Sequence, residues 1–165
     1  MKEIRIEPIR EAHVEGFHKA LDIVARERRY LSFLEAPPLD GTRDFVLDNI
    51  RNGHPQFVAI AEGQVIGWCD LRRHQREVHA HRCTLGMGIV PGYRDCGLGR
   101  RLITTTIEAA RALKLHRIDL DVYADNLRAK ALYEKVGFVT EGVARDGVRI
   151  DGRFIDVIQM ALLLD

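Results

Sequence analysis

The chain has 165 residues, 46% of them apolar and 30% charged, and its 25 Lys and Arg against 24 Asp and Glu leave a formal net charge of +1. That length suits one well-buried core, the composition is that of a soluble globular protein, and near-neutrality argues against the one-sided basic surface that nucleic acid attracts. The charged opening Met1-Lys2-Glu3-Ile4-Arg5 and the short apolar runs argue against a leader or a membrane span, and three cysteines without a Cys-x-x-Cys pair, Cys69, Cys83 and Cys96, fit a reducing cytoplasm.

Ile4-Arg5-Ile6-Glu7 alternates as a first strand that Pro8 halts. Val14, Phe17, Leu21, Val24 and Ala25 then recur at helical period, which predicts a helix from about Glu11 to Arg29. Pro37-Pro38 and Gly41 mark a loop, and Thr42 is placed to cap a second helix carrying Phe45, Val46 and Ile50, ended by Asn52-Gly53-His54-Pro55. Phe57 to Ala61 and Val65 to Cys69 flank Glu62-Gly63-Gln64 as a hairpin, and a polar connection runs from about Arg72 to His81. Thr84 to Val90 reads as the next strand, where Gly86 and Gly88 signal a bulge or a close ligand approach.

A helix from near Gly97 to Leu113 follows, then the alternating strand Ile118-Asp119-Leu120-Asp121-Val122. Ala129, Lys130, Leu132, Tyr133 and Val136 predict a short helix closed by Gly137. Val139 to Ile150 and Arg153 to Leu164 form two strand-like runs around Asp151-Gly152, a type I′ hairpin signal. The class is therefore α/β, in a single domain over 1–165 without linker or internal repeat. The strand, crossover helix and strand from Met87 through Ile118 imply a parallel pair in an otherwise antiparallel sheet.

Between strand and helix stands Arg94-Asp95-Cys96-Gly97-Leu98-Gly99. Gly97 and Gly99 let the backbone come close to a ligand, the first N–H groups of the helix have no intrahelical acceptor, and the helix dipole adds positive potential. With Arg94 and Arg100 as charge-assisted donors, the turn is suited to a pyrophosphate. No Gly-Lys-Ser/Thr follows and the third dinucleotide-fold glycine is missing, which disfavours an ATPase or a dehydrogenase. Asn126, Ala129, Lys130 and Tyr133 share one helical face, with Asn126 and Tyr133 roughly 10 Å apart along the axis. That face either grips an extended cofactor arm or supplies a helix cap and a core aromatic.

Taken together, Arg94-x-x-Gly97-x-Gly99 and Asn126-x-x-Ala129-x-x-Leu132-Tyr133 followed by Gly137-Phe138 resemble the two cofactor-binding segments of the GNAT superfamily of N-acetyltransferases. The resemblance spans nearly the whole chain, and Glu141-Gly142 with Asp151 to Asp156 is similar to the branch that acts on amino acids and related small amines. It implies a mixed central sheet with a splayed strand pair and acetyl-CoA as co-substrate. Ile89 and Val90 would offer main-chain groups to the pantetheine arm, residues Arg94, Asp95, Cys96, Gly97, Leu98, Gly99 and Arg100 would wrap the pyrophosphate, and Asn126 and Ala129 would line the arm's other side. Tyr133 would give a proton to the departing sulfur after direct attack in a ternary complex. A homodimer is compatible with the resemblance.

The family often carries a glutamate on the strand before the pyrophosphate loop, and Arg82 to Val90 contains no carboxylate. Glu35, in the loop between the first two helices, is the preferred base; Asp70, Glu77 and a water chain are its rivals. His74, His79 and His81 read as a solvated loop rather than a metal site, because no carboxylate or cysteine stands at ligand spacing and Arg72, Arg73, Arg76 and Arg82 would repel a cation. Cys96 lacks an adjacent base for covalent acyl transfer. The competing reading is a module that binds acyl-CoA without catalysis.

Overall fold

The computed structural model describes residues 2–165, so Met1 of the charged opening segment lies outside it. Its seven-stranded sheet has the order β1-β2-β3-β4-β5-β7-β6. The strands are β1 Ile4–Pro8, β2 Gln56–Ala61, β3 Gln64–Arg73, β4 Arg82–Ile89, β5 Arg117–Tyr123, β6 Val139–Ile150 and β7 Arg153–Leu163. Glu62 and Gly63 join β2 to β3 at φ 51° and 75°, and Asp151 and Gly152 join β6 to β7 at φ 50° and 78°. Both central residues of each turn are thus left-handed, the condition for type I′ geometry.

Four helices cover this sheet: α1 Val14–Ala25, α2 Leu39–Asn52, α3 Leu98–Ala112 and α4 Leu127–Lys135. The buried stripe of α1 includes Val14, Phe17, Leu21 and Val24, and that of α3 includes Leu98, Leu102, Thr106 and Ala110. Neighbouring residues of β3 show which face each helix takes. The Phe17 ring meets Trp68 edge-on at 5.5 Å, whereas Leu102 lies under Gly67. Successive side chains on a strand point to opposite faces, so α1 and α3 sandwich the sheet.

Two helix boundaries differ from the sequence reading. The residues from Glu11 to His13 form a turn of 3₁₀ helix ahead of α1, which itself stops at Ala25. In α2, Pro38 occupies the N-cap position and Thr42 is a buried residue inside the helix. The fixed φ of proline suits a helix entry, and the turn tolerates Gly41 without yielding the start to Thr42.

β4 pairs with β3 in unbroken antiparallel register from Arg73↔Cys83 to Gly67↔Ile89, so Gly86 and Gly88 make no bulge against it. They serve β3 instead. Trp68 stands opposite Gly88 and Asp70 opposite Gly86. A Cβ on Gly88 would lie 2.4 Å from the Trp68 ring, and one on Gly86 would lie 3.5 Å from an Asp70 carboxylate oxygen. The bare backbone of β4 is what allows two large side chains of β3 to lie across it.

The central discontinuity falls on the other side of β4. Its parallel pairing with β5 covers only Arg82↔Arg117, Cys83↔Ile118 and Thr84↔Asp119. Beyond that point β4 stays with β3 and β5 stays with β7. At the joint Asp119 receives hydrogen bonds from Arg82 and Arg117, both at 2.8 Å, and Arg117 also pairs with Glu141 of β6. The strands are clamped at one end and part towards the other.

Gly88→Ala is expected to cost about 1–3 kcal/mol of stability through forced displacement of the indole. Denaturant unfolding checks the loss, and a shift in the emission of Trp68, the chain's single tryptophan, reports the displacement.

Candidate active site

The parting of β4 and β5 opens a cleft of about 1470 Å³ that passes through the sheet. Phe17, Phe45 and Trp68 line it on the side of α1 and α2, and Leu132, Tyr133 and Asn126 on the side of α3 and α4. A site for one small ligand encloses roughly 300–1,000 Å³, so this cleft has room for two reactants approaching from opposite faces.

Its wall is partly main chain. The Val90 N–H donates to the Ile66 carbonyl at 3.0 Å, towards β3. Strand alternation therefore turns the main-chain groups of Ile89, Met87 and Leu85 towards the opening. The Ile89 N–H is directed to the opening, while its carbonyl accepts the Arg94 Nε at 2.8 Å. The Val90 donor is spent on β3, which takes its N–H away from the cleft.

Past Val90 the chain turns through Gly92 (φ 94°), Asp95 (φ 59°) and Gly97 (φ 83°) into α3. Gly97 is the N-cap, and no side chain caps the helix. Arg101 is the first residue whose N–H finds a helical acceptor, the Gly97 carbonyl at 3.2 Å. The amides of Leu98, Gly99 and Arg100 thus remain as donors at the positive end of the dipole. The two glycines serve different ends: Gly97 supplies a left-handed φ, and Gly99 lets Leu132 of α4 approach, since a Cβ there would stand 3.0 Å from it.

Arg100 lines the cleft and forms no ion pair among the described residues. Arg94 is differently placed. Its guanidinium makes two bonds to Glu27, at 2.9 and 2.5 Å, and lies 4.9 Å above the Tyr30 ring. The Arg94 and Glu27 side chains are only 18% and 24% exposed. Arg94 therefore fastens the turn to the segment after α1 and to the end of β4. Asp95 pairs with Arg128 of α4 at 3.1 Å, a partner that the loop motif alone did not reveal. Cys96 is exposed, its thiol donating to the Tyr93 carbonyl at 3.0 Å.

Asn126 caps α4 by accepting the Ala129 N–H at 3.2 Å, and both residues line the cleft. About two turns past Asn126, Tyr133 is 8% exposed, packed against Phe138 at 5.8 Å. Burial, with Cys69 as a secondary influence, drives its phenol well above the ordinary tyrosine range, so it holds its proton.

The carboxylates sort differently from the sequence expectation. Glu35 is 72% exposed and paired with Arg26 at 3.3 Å; it is not part of the cleft wall. Its loop turns outwards because the Ala36 N–H is held by Asp22 at 2.9 Å and the Pro37 carbonyl by His18 at 2.8 Å. Glu77 is an exposed residue of a 3₁₀ turn. Asp70 does line the cleft and is 7% exposed. The alternation of Trp68, Asp70 and Arg72 opposite Gly88 and Gly86 was the available signal for it. Among the described residues no group of three His, Cys, Asp or Glu side chains is spaced to hold a metal ion.

Residues 18–138 match the model of the Acetyltransferase (GNAT) family. The chain belongs to that family. It is 29% identical over 155 residues to the L-amino acid N-acetyltransferase AaaT of Escherichia coli (strain K12), a match that covers 93% of this chain and 95% of that one. A crystal structure of a GNAT-family acetyltransferase from Streptococcus pneumoniae superposes with a TM-score of 0.92 at 28% identity, covering 98% of this chain and all of the other. A structure of yncA from Salmonella typhimurium with its cofactor acetyl-CoA shares the fold, with a TM-score of 0.92 at 18% identity over 98% and 94% of the two chains. Family and relatives support an acetyl-CoA-dependent N-acetyltransferase over a non-catalytic binder.

The Glu27 bond set gives a test of how Arg94 acts. If Arg94 serves by fixing the turn, Glu27→Gln is expected to weaken acetyl-CoA binding up to roughly tenfold and to cost about 1 kcal/mol of stability, read by titration calorimetry and thermal unfolding. An unchanged affinity would show that Arg94 meets the pyrophosphate on its own.

Proposed function

We propose that the protein transfers an acetyl group from acetyl-CoA to the primary amine of a small molecule, with amino acids as the acceptor class, by direct attack within a ternary complex. The observation that carries this reading is the passage through the sheet, which lets the two substrates enter from opposite faces and meet where β4 and β5 part. The residues present fit the co-substrate: an uncapped helix N-terminus with Arg100 beside it for the pyrophosphate, and the unpaired main chain of β4 for the amide-bearing arm. When bound, acetyl-CoA supplies the acetyl group as a thioester.

The chain's own groups divide the remaining tasks. The Ile89 N–H is directed to the gap and is suited to hydrogen-bond a carbonyl oxygen there. Tyr133, kept protonated by burial, holds the proton that a leaving thiolate requires. Asn126 and Ala129 face the arm from α4. On the α1 and α2 side, Phe17, Phe45 and Trp68 form apolar walls, with Asp70 and Arg72 on the same strand face as Trp68. Apolar walls around one buried carboxylate complement the ammonium and side chain of an amino acid, and the relative AaaT is named for L-amino acids.

No helix among the described residues is long and apolar enough to cross a membrane. Three free cysteines, two of them buried, support a cytoplasmic location.

A panel of amino acids and simple amines, with thiol release as the readout, is expected to give turnover on amino acids; release with none of them would overturn the reading. Tyr133→Phe is expected to lower kcat by roughly 10²-fold. Its affinity for acetyl-CoA, measured by calorimetry, is expected to stay at the wild-type value.

A further inference from the structure

An amine acceptor arrives at neutral pH as an ammonium, which has no lone pair with which to attack. Some group must take its proton. β4 offers none, because its residues on the Trp68 face of the sheet are Arg82, which is bonded to Asp119, and Thr84, Gly86 and Gly88. The adjacent strand does. Asp70 stands directly across from Gly86, with its two carboxylate oxygens 3.5 and 3.8 Å from where a Cβ at position 86 would be. The acid of β3 thus occupies the space that a side chain on β4 would fill. Among the described residues no donor reaches this carboxylate, although Asp70 is 7% exposed. A buried carboxylate without a partner is costly, and its retention calls for a ligand or a chemical role.

Arg72, two residues along the same face, is the nearest candidate partner and is turned elsewhere. It donates to Asn49 at 3.2 Å, pairs with Asp48 at 3.6 Å and lies 4.8 Å above the Phe45 ring. Around Asp70, α1 contributes Phe17, α2 contributes Thr42 and Phe45, and β2 contributes Gln56, all uncharged. The charged groups lining the cleft on this face include Arg72 of β3, itself paired with Asp48, and Asp121 of β5, which lies across the parted strands and, unlike Asp70, is exposed.

Building on the acetyltransferase reading, we propose that Asp70 is the general base that deprotonates the acceptor's ammonium. An N–H bond of the ammonium breaks and an O–H bond forms on the Asp70 carboxylate. The nitrogen keeps the electron pair and becomes a neutral amine, and the carboxylate becomes a neutral acid. That proton then passes to water, which returns Asp70 to its ionised form and accounts for the one proton released when an ammonium is acetylated to an amide.

Burial pushes the Asp70 carboxyl up to about 7, with Arg72 opposing the shift. A base that titrates near the working pH combines a useful ionised fraction with real proton affinity. The same shift carries a stability signature. Because the folded carboxyl titrates near 7 and an unfolded one near 4, its favourable contribution is complete below about pH 4 and is lost as pH rises through 7.

The test compares Asp70→Asn with wild type on an acceptor that the panel identifies. In wild type, kcat/KM is expected to rise through an inflection near pH 7. In the variant it is expected to fall roughly 10²-fold at pH 7, to lose that inflection, and to recover about tenfold per pH unit as solution supplies neutral amine. Acetyl-CoA affinity is expected to be unchanged. The variant's Tm is expected to exceed that of wild type at pH 8, with the difference vanishing towards pH 4. A wild-type pH profile and rate in the variant would overturn the role of Asp70 alone, whereas no turnover by wild type on any amine would overturn the acetyltransferase reading and this proposal with it.

Discussion

The interaction on which the rest of this structure depends is the one that ends early, the pairing of β4 with β5. Three residue pairs, fastened by the Arg82, Asp119 and Arg117 bonds, hold the strands together. Were the ladder to continue, the main chain of Leu85, Met87 and Ile89 would be consumed in the sheet and no passage would join its two faces. Each strand keeps its stability from its outer neighbour, β3 for one and β7 for the other. The cleft therefore costs the ladder a few hydrogen bonds at its centre without creating a free edge that reaches solvent over a long span.

Around that opening the charges are arranged so that the functional donors remain available. Arg94, Arg72 and Arg128 are each paired with a carboxylate, and Arg100 lines the cleft without one among the described residues. The same economy holds for the backbone. Ile89 gives its carbonyl to Arg94 and keeps its N–H, and Val90 gives its N–H to Ile66. A turn with three positive-φ residues, Gly92, Asp95 and Gly97, is fastened through its side chains Arg94 and Asp95 to the segment after α1 and to α4.

What the sequence disclosed follows the range of the interactions involved. Helix period, the Glu62-Gly63 and Asp151-Gly152 turns and the helix end at Gly137 are set by residues close in the chain, and they were legible within a few positions. The parting of the strands was legible only through the family resemblance, since nothing in the local pattern of Thr84 to Val90 states which edge lacks a partner. Gly86 and Gly88 signal a bulge or a close ligand approach in the sequence, whereas the register against β3 is unbroken and the space they leave is taken from across the ladder by Asp70 and Trp68, because register is a long-range property. The bonding of Arg94 to Glu27, 67 residues away, was beyond any motif for the same reason. Glu35 looked well placed because its loop lies between the first two helices, yet Asp22 and His18 fix the neighbouring backbone and leave the acid in solvent.

Burial acts on Asp70 and Tyr133 in the same direction and yields opposite roles. Both ionised forms are negative, so desolvation raises both groups. A phenol begins near 10 and moves further out of reach, which suits Tyr133 to the proposed role of proton donor; a carboxyl begins near 4 and is brought to about 7, which suits Asp70 to the proposed role of acceptor. They stand on opposite faces of the sheet, Asp70 among the residues of α1 and α2 and Tyr133 on α4 beside Cys69. On the proposed reading, the passage through the sheet is what lets Asp70 and Tyr133 share one cleft from opposite faces, each turned to a different end of the reacting pair.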